Sequence, residues 1–222
     1  MFERMVRLWQ TYDTVFLEGL WGTLWLSAVS VLAATVVGGL LAAMKLSKVK
    51  ALDLLVNLFM LVIRGTPILL QLYFFWLWLP QIMPFGLSDT QCIVVALIVN
   101  ASAYVAEVIR AGVQSVDIGQ TEAAKSLGMS PLHVLTHIVV PQAVKSILPA
   151  LGNQYIMMIK QTSLASVFFV QELMTSYKTV QSATFLSLPS LAIVGVIYLV
   201  VTTVLTQALD LFERRLKRSE RN

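Results

Sequence analysis

EAAKSLGMSPLHVLTHIVVPQA, residues 122–143, is a polar island in a chain that is otherwise largely apolar. Long hydrophobic runs flank it, and Gly128 and Pro131 interrupt it. Apolar residues make up 57% of the 222 and charged ones 13%, about half the share usual in soluble chains. The mean hydropathy is +0.77. Lipid can cover such a surface, and the apolar residues come in blocks near or above the roughly 20 needed to cross a bilayer. An all-α polytopic membrane protein is therefore expected, with the island on its water side.

Five blocks surround the island: residues 19–44, 54–79, 90–109, 147–170 and 186–209. Each is apolar around most of a helix, as lipid- and bundle-facing segments are. Five spans put the termini on opposite sides of the membrane. With the N-terminus outside, the inner segments hold Lys45, Lys48, Lys50, Arg110, Lys125, Lys145 and the tail ERRLKRSERN (213–222), and the outer ones only Arg4, Arg7 and Lys178. The positive-inside bias then predicts N-terminus out and C-terminus in the cytoplasm. The net charge of +4 is explained by this clustering beside the spans, so no nucleic-acid partner is expected. Residues 1–18 read as an amphipathic surface helix and not as a signal peptide, because no small-residue cleavage site is present. Residues 45–53 form a short inner loop, PQIMPFGLSD (80–89) an outer turn, and 171–188 an outer, partly helical segment ended by Pro189. There is no internal repeat.

The island reads as two short helices at an angle. Asp117 precedes GQTEAAKSL (119–127), and Glu122 lies near the positive end of that helix. Gly128 suits the left-handed position that closes a helix, and Ser130 can cap a second one with Pro131 in its first turn. Pro141 limits how far that second helix extends. Leu132, Val134, Leu135, Ile138 and Val139 give it an apolar face. The residues alone leave two readings open: an ordinary hairpin on the ends of the spans, or an element that docks a partner.

The spacing of Glu122, Ala123, Ala124, Gly128, Ile138, Val140 and Pro141 resembles the permease signature of ATP-binding-cassette importers, with Val140 where that family usually has Leu. IRGTPILLQL (63–72), NASAYVAEVIRAGV (100–113), GQTEAAKSLGMS (119–130), PQA (141–143) and LGNQYIMMIKQTSLASV (151–167) resemble the polar amino-acid permeases, and GLWGTLWLSAVS (19–30) resembles their first span. The similarity runs from about residue 19 to 212. It implies a type I importer transmembrane domain over 19–212, with a coupling loop at 113–145 that inserts into an ATPase subunit. It also implies a second permease subunit, an ATPase dimer, an extracytoplasmic amino-acid-binding protein and a place in the bacterial plasma membrane. The chain has no G-x-x-x-x-G-K-[ST] loop. Binding and hydrolysis of magnesium–ATP are therefore expected of the partner, with no cofactor in this chain.

Polar groups inside spans are costly to leave in lipid, so they are candidates for substrate contact. These are Asn100 in the third block, Gln161 beside Met158 in the fourth, and Thr23 and Ser27 on one face of the first. For each, an interhelical hydrogen bond is the competing reading. In the resembling permeases the position of Gln161 is often Asp (KDTSL against KQTSL here), so a neutral group here disfavours a cationic cargo. Glu107 and Arg110, at i and i+3, are expected to pair, and Arg64 and Lys160 to serve structure. His133 and His137 have zinc spacing but no third ligand in sequence. Trp21, Tyr73, Trp76 and Trp78 read as interfacial anchors, and Cys92 as a small apolar filler. An ion-driven carrier and a non-transporting scaffold are the alternatives; the lack of paired repeats argues against the first.

Overall fold

The computed structural model describes residues 1–47 and 49–218 of the chain. Among them, four helices are long and apolar enough to cross a membrane, or five if one bent pair counts as a single span. The elements are α1 (Phe2–Leu46), α2 (Lys50–Gly65), α3 (Ile68–Ile82), α4 (Asp89–Gln114), α5 (Ile118–Ser126), α6 (Pro131–Val134), a π turn (Leu135–Val139), α7 (Val140–Gln161), a 3₁₀ segment (Thr162–Phe168), α8 (Leu173–Thr184) and α9 (Ser187–Arg218).

The first helix has no proline to stop it, and residues 2–46 form one kinked helix. The kink lies at Tyr12 (φ −127°, ψ 19°). Leu8 and Phe16 are buried against Leu173, Val180, Ile193 and Val194, which ties this end of α1 to α8 and α9. Further along, α1 packs along α4, and the buried residues of the two helices are largely small: Ser27, Ser30, Ala34, Gly38 and Ala42 on α1, Ala96, Ala101, Ser102 and Ala106 on α4. A methyl group at Gly38 would lie 2.9 Å from both the Ser102 oxygen and the Ala106 nitrogen. Small residues allow such approach where lipid supplies no hydrophobic drive between helices. Around this seam Leu26, Leu72, Ile93, Leu97, Met158 and Phe168 form the main core.

The second block is not one straight span. α2 and α3 meet at 108° across Thr66 and Pro67. Pro67 has no N–H and forces Thr66 into extended backbone (φ −119°, ψ 148°). A break inside a membrane leaves carbonyls without partners, and these need polar side chains. Thr66 Oγ1 donates to the Val62 carbonyl at 2.8 Å, and Gln71 Nε2 donates to the carbonyls of Ile63 at 2.7 Å and Thr66 at 3.2 Å.

The fourth block departs in the opposite sense. Helix runs without a break from Pro131 to Phe168, and Pro141 does not end it. A π turn precedes it, in which the Val140 N–H bonds to the Leu135 carbonyl. The widened turn places Pro141, which has no donor, in the first turn of α7, where none is needed. Phe169 then closes the 3₁₀ segment and Phe185 closes α8, both left-handed at φ 56°. Pro189 lies in the first turn of α9 and so opens a helix where a segment end was expected. The part of the basic tail up to Arg218 continues α9; residues 219–222 lie outside the described residues.

Candidate functional site

The hairpin of α5 and α6 stands at one end of the bundle, beside Ala43 and Leu46 of α1; α8 crosses the other end of α1 at Val15 and Thr23. Local chemistry builds it as expected. Asp117 accepts from the Gly119 N–H at 2.6 Å and starts α5. Gly128 ends α5 at φ +80°, with its N–H on the Lys125 carbonyl and the Met129 N–H on the Ala124 carbonyl. That is the paired bonding of a helix closed by a left-handed glycine. Nothing lies within 4 Å of a methyl group added at Gly128, so backbone conformation alone selects glycine. Ser130 accepts from the His133 N–H and starts α6 with Pro131 in the first turn.

Three of its leucines stand in the open. Leu127 is 84% exposed, Leu132 68% and Leu135 45%, on a hairpin of otherwise polar character. Glu122, Ala123, Gly128 and Pro141 are exposed, Ile138 is half-buried, and Ala124 is buried. Gln142, one residue beyond the expected set, fastens the hairpin to α7: its Nε2 donates to Gln120 Oε1 and, at 2.9 Å, to the Ile138 carbonyl. His133 and His137 stack at 5.2 Å, and no group of three metal-ligating side chains occurs among the described residues.

The polar interior is the second candidate. Asn100 is buried, and its Nδ2 donates to Gln71 Oε1 at 2.8 Å. Gln71 thus bridges the break in the second span to α4. Sequence reasoning passed over it, although it is the one polar non-aromatic side chain in the stretch 68–79. Asn100 Oδ1, Gln154 Nε2 and Gln161 Oε1, on the adjacent helices α4 and α7, are buried with no hydrogen-bond partner among the described residues, as is Ser30 Oγ on α1. Each unsatisfied group costs about 1–3 kcal/mol, which a polar ligand reaching it would recover. Met158, fully buried, lies in the same core.

Thr23 and Ser27 are engaged by protein. Thr23 Oγ1 accepts from the Leu173 N–H at 3.1 Å, and Ser27 Oγ donates to the Thr23 carbonyl at 2.6 Å. The first of these bonds belongs to a lock at the α8 end that the sequence did not reveal. Glu172, with no exposed surface, starts α8 by accepting from the N–H groups of Met174 at 2.8 Å and Thr175 at 2.6 Å. Tyr198 of α9 donates to Glu172 Oε2, the oxygen that also accepts from Met174, at 3.1 Å. Burial pushes the Glu172 carboxyl above the ordinary carboxylate range, against the pull of these donors. Ser176 Oγ donates to the Val15 carbonyl at 2.7 Å, and Lys178 Nζ to the Ser166 carbonyl at 2.8 Å.

Glu107 and Arg110 form the expected ion pair on one face of α4. The Arg64 guanidinium lies over the Tyr104 ring at 5.8 Å, and Trp76 Nε1 donates to Asp89 at 2.8 Å. Cys92 is buried.

Comparison with known proteins places this arrangement. Residues 34–218 match the family described as binding-protein-dependent transport system inner membrane component. The chain is 35% identical to the octopine transport system permease protein OccM of Rhizobium radiobacter, over 97% of this chain and 91% of that one. It is 35% identical to the arginine transport system permease protein ArtQ of Bacillus subtilis (92% and 93%), and 34% to that organism's probable glutamine ABC transporter permease protein GlnM (93% and 95%). A solved amino acid ABC transporter with histidines superposes with a TM-score of 0.88 at 40% identity, covering 92% of this chain and 95% of that one. The inward-facing methionine transporter MetNI shares the fold at a TM-score of 0.78 and 18% identity, covering 93% and 98%. The chain therefore belongs to the inner-membrane components of binding-protein-dependent transport systems.

Proposed function

We propose that the chain is the permease subunit of an ATP-driven importer that moves a polar amino acid across the bacterial plasma membrane by alternating access. The observation that carries this reading is the hairpin: two leucines, Leu127 and Leu132, stand in the open on either side of Gly128. Apolar side chains held out by a capped, polar hairpin are what a partner's groove would bury. On this reading the groove belongs to an ATPase subunit, gripped through Glu122, Ala123, Ala124, Gly128, Ile138 and Pro141. A second permease subunit completes the channel, and an extracytoplasmic binding protein delivers the cargo. ATP acts by favouring one permease state over the other, since equal affinity for both shifts nothing.

The hairpin faces the cytoplasm in this reading. Arg4 and Lys45 lie at opposite ends of α1, and Lys50, Arg110, Lys125 and Lys145 fall on or beside the hairpin end. The positive-inside bias favours that end as cytoplasmic. The cargo meets Asn100, Gln161 and Met158; the unpaired polar atoms of Asn100 and Gln161, with that of Gln154, support this. Thr23 and Ser27 act through packing. Relatives are named for octopine, arginine and glutamine transport. The neutral Gln161 supports a cargo without a cationic side chain.

Doubly substituting Leu127→Asp and Leu132→Asp tests the reading. Co-purification of the ATPase and uptake in membrane vesicles are expected to fall at least about tenfold, with the permease still folded. Undiminished uptake in that variant, or uptake that persists on an ion gradient with ATP hydrolysis blocked, overturns it. Arginine taken up in preference to neutral polar amino acids overturns the cargo assignment.

A further inference from the structure

Between α1, α2 and α4, beside the turn that joins the first two, lies a cleft that the transport reading does not use. Lys45, Asn57, Leu61, Arg64, Glu107 and Arg110 line it. Three cations from three helices thus face one carboxylate. That carboxylate is engaged: Glu107 pairs with Arg110. Lys45 Nζ donates to the neutral Asn57 Oδ1 at 2.8 Å, and Asn57 in turn donates to Asp53 at 3.0 Å. Arg64 has the Tyr104 ring, and no carboxylate lies within ion-pair distance of Arg64 or Lys45 among the described residues. The C-terminal end of α2 offsets part of the Arg64 charge. The cleft as a whole stays positive. Its wall includes the apolar Leu61, 70% exposed, with Leu58, 57% exposed, one turn before it on α2.

A positive floor with an apolar wall matches an amphiphile with an anionic head. We propose that this cleft holds the phosphate of an anionic phospholipid of the inner leaflet, with its acyl chains along Leu58 and Leu61. Lys45 and Arg64 supply the charge, and Arg110 the second guanidinium. Basic pockets between spans on the cytoplasmic side select anionic headgroups. The proposal rests on the orientation given under the proposed function, and not on the identity of the cargo.

The test uses the permease–ATPase complex in detergent, stripped of lipid and titrated with phosphatidylglycerol, phosphatidylcholine or inorganic phosphate, with bound molecules counted by native mass spectrometry. Phosphatidylglycerol is expected to be retained over phosphatidylcholine. Arg64→Gln and Lys45→Gln should each weaken retention about fivefold, and Arg64→Lys should restore most of it. Glu107→Gln removes the carboxylate that lines the cleft and should strengthen retention, a direction that loss of folding does not produce. Equal retention of the two lipids, or retention unmoved by Arg64→Gln, overturns the proposal. Inorganic phosphate displacing the lipid at equal concentration overturns the lipid assignment in favour of a free anion. Ser47→Cys, at the adjoining turn, should react with an impermeant maleimide only from the cytoplasmic side. Labelling from the outside overturns the inner-leaflet placement while leaving the lipid count intact, which separates failure of the orientation from failure of the site.

Discussion

Two connections between spans, α5–α6 at one end of the bundle and α8 at the other, are built from similar materials and handled in opposite ways. Both are short helices with a side-chain cap at the start and a left-handed residue at the end. In α8 the apolar residues Leu173 and Val180 are fully buried, and the cap Glu172 is locked from α9 by Tyr198, while Thr23 of α1 holds the neighbouring Leu173 N–H. In the hairpin the caps are local, one glutamine pair fastens it to α7, and the leucines face outward. One connection is tied to its own chain by polar bonds on both sides, although Phe169 and Phe185 at its ends are 86% and 88% exposed. The other is finished in itself and open to something else. Capping makes a helix; only the destination of its apolar side chains shows whether the chain keeps the helix for itself.

That contrast breaks most visibly at Glu172. Glu172→Ala strips the cap of α8 and leaves Tyr198 and two backbone N–H groups without their acceptor, so a loss of about 3 kcal/mol in stability is expected, read as a lower Tm in detergent. The exposed leucines should behave in the opposite manner. Leu127→Asp with Leu132→Asp, severe for uptake, should move stability by only about 0.5 kcal/mol in the same thermal assay. Between these lies Gly128→Ala, which meets no steric contact but carries the cost of φ +80°, about 1 kcal/mol. It should loosen the hairpin locally, seen as faster amide exchange across 122–130 and unchanged exchange in α8. The smallest effect is a pH dependence. Because burial raises the folded-state value of Glu172, its contribution is complete below the ordinary carboxylate range and is lost as pH climbs through the raised value. Melting across a pH series should therefore show a decline on raising pH that Glu172→Gln flattens.

The hairpin was legible in the sequence because its chemistry is local. Asp117, Gly128, Ser130 and Pro131 act on backbone within a few residues, and each sits where its own rules place it. Two of the prolines in or beside spans show the limit of such rules. Pro67 breaks a block that apolar composition presents as continuous, and the break is tolerable because Gln71, itself held by Asn100, supplies the missing donor. Pro141 looks like a terminator, yet the π turn before it absorbs the missing bond. Neither outcome follows from the proline; each depends on where the neighbouring carbonyls find partners. The unpaired atoms of Gln154 and Gln161 were half legible, since a glutamine in an apolar run is conspicuous but its satisfaction is a tertiary fact. Glu172 was not legible at all, because an acid between two spans reads as solvated until α9 is seen to cover it.

The uninterrupted passage from Pro131 to Phe168 has a mechanical consequence. Its 38 residues make a single shaft about 55 Å long, exposed at one end and carrying Met158 and Gln161 towards the other. The π turn at Leu135–Val139 and Pro149 are the places along it where a helix can bend, so on the proposed reading motion at the hairpin reaches those two side chains through them. On that reading the second half of the hairpin and the cargo's candidate contacts belong to one continuous stretch of helix, with α5 attached to it by the Gln142–Gln120 bond.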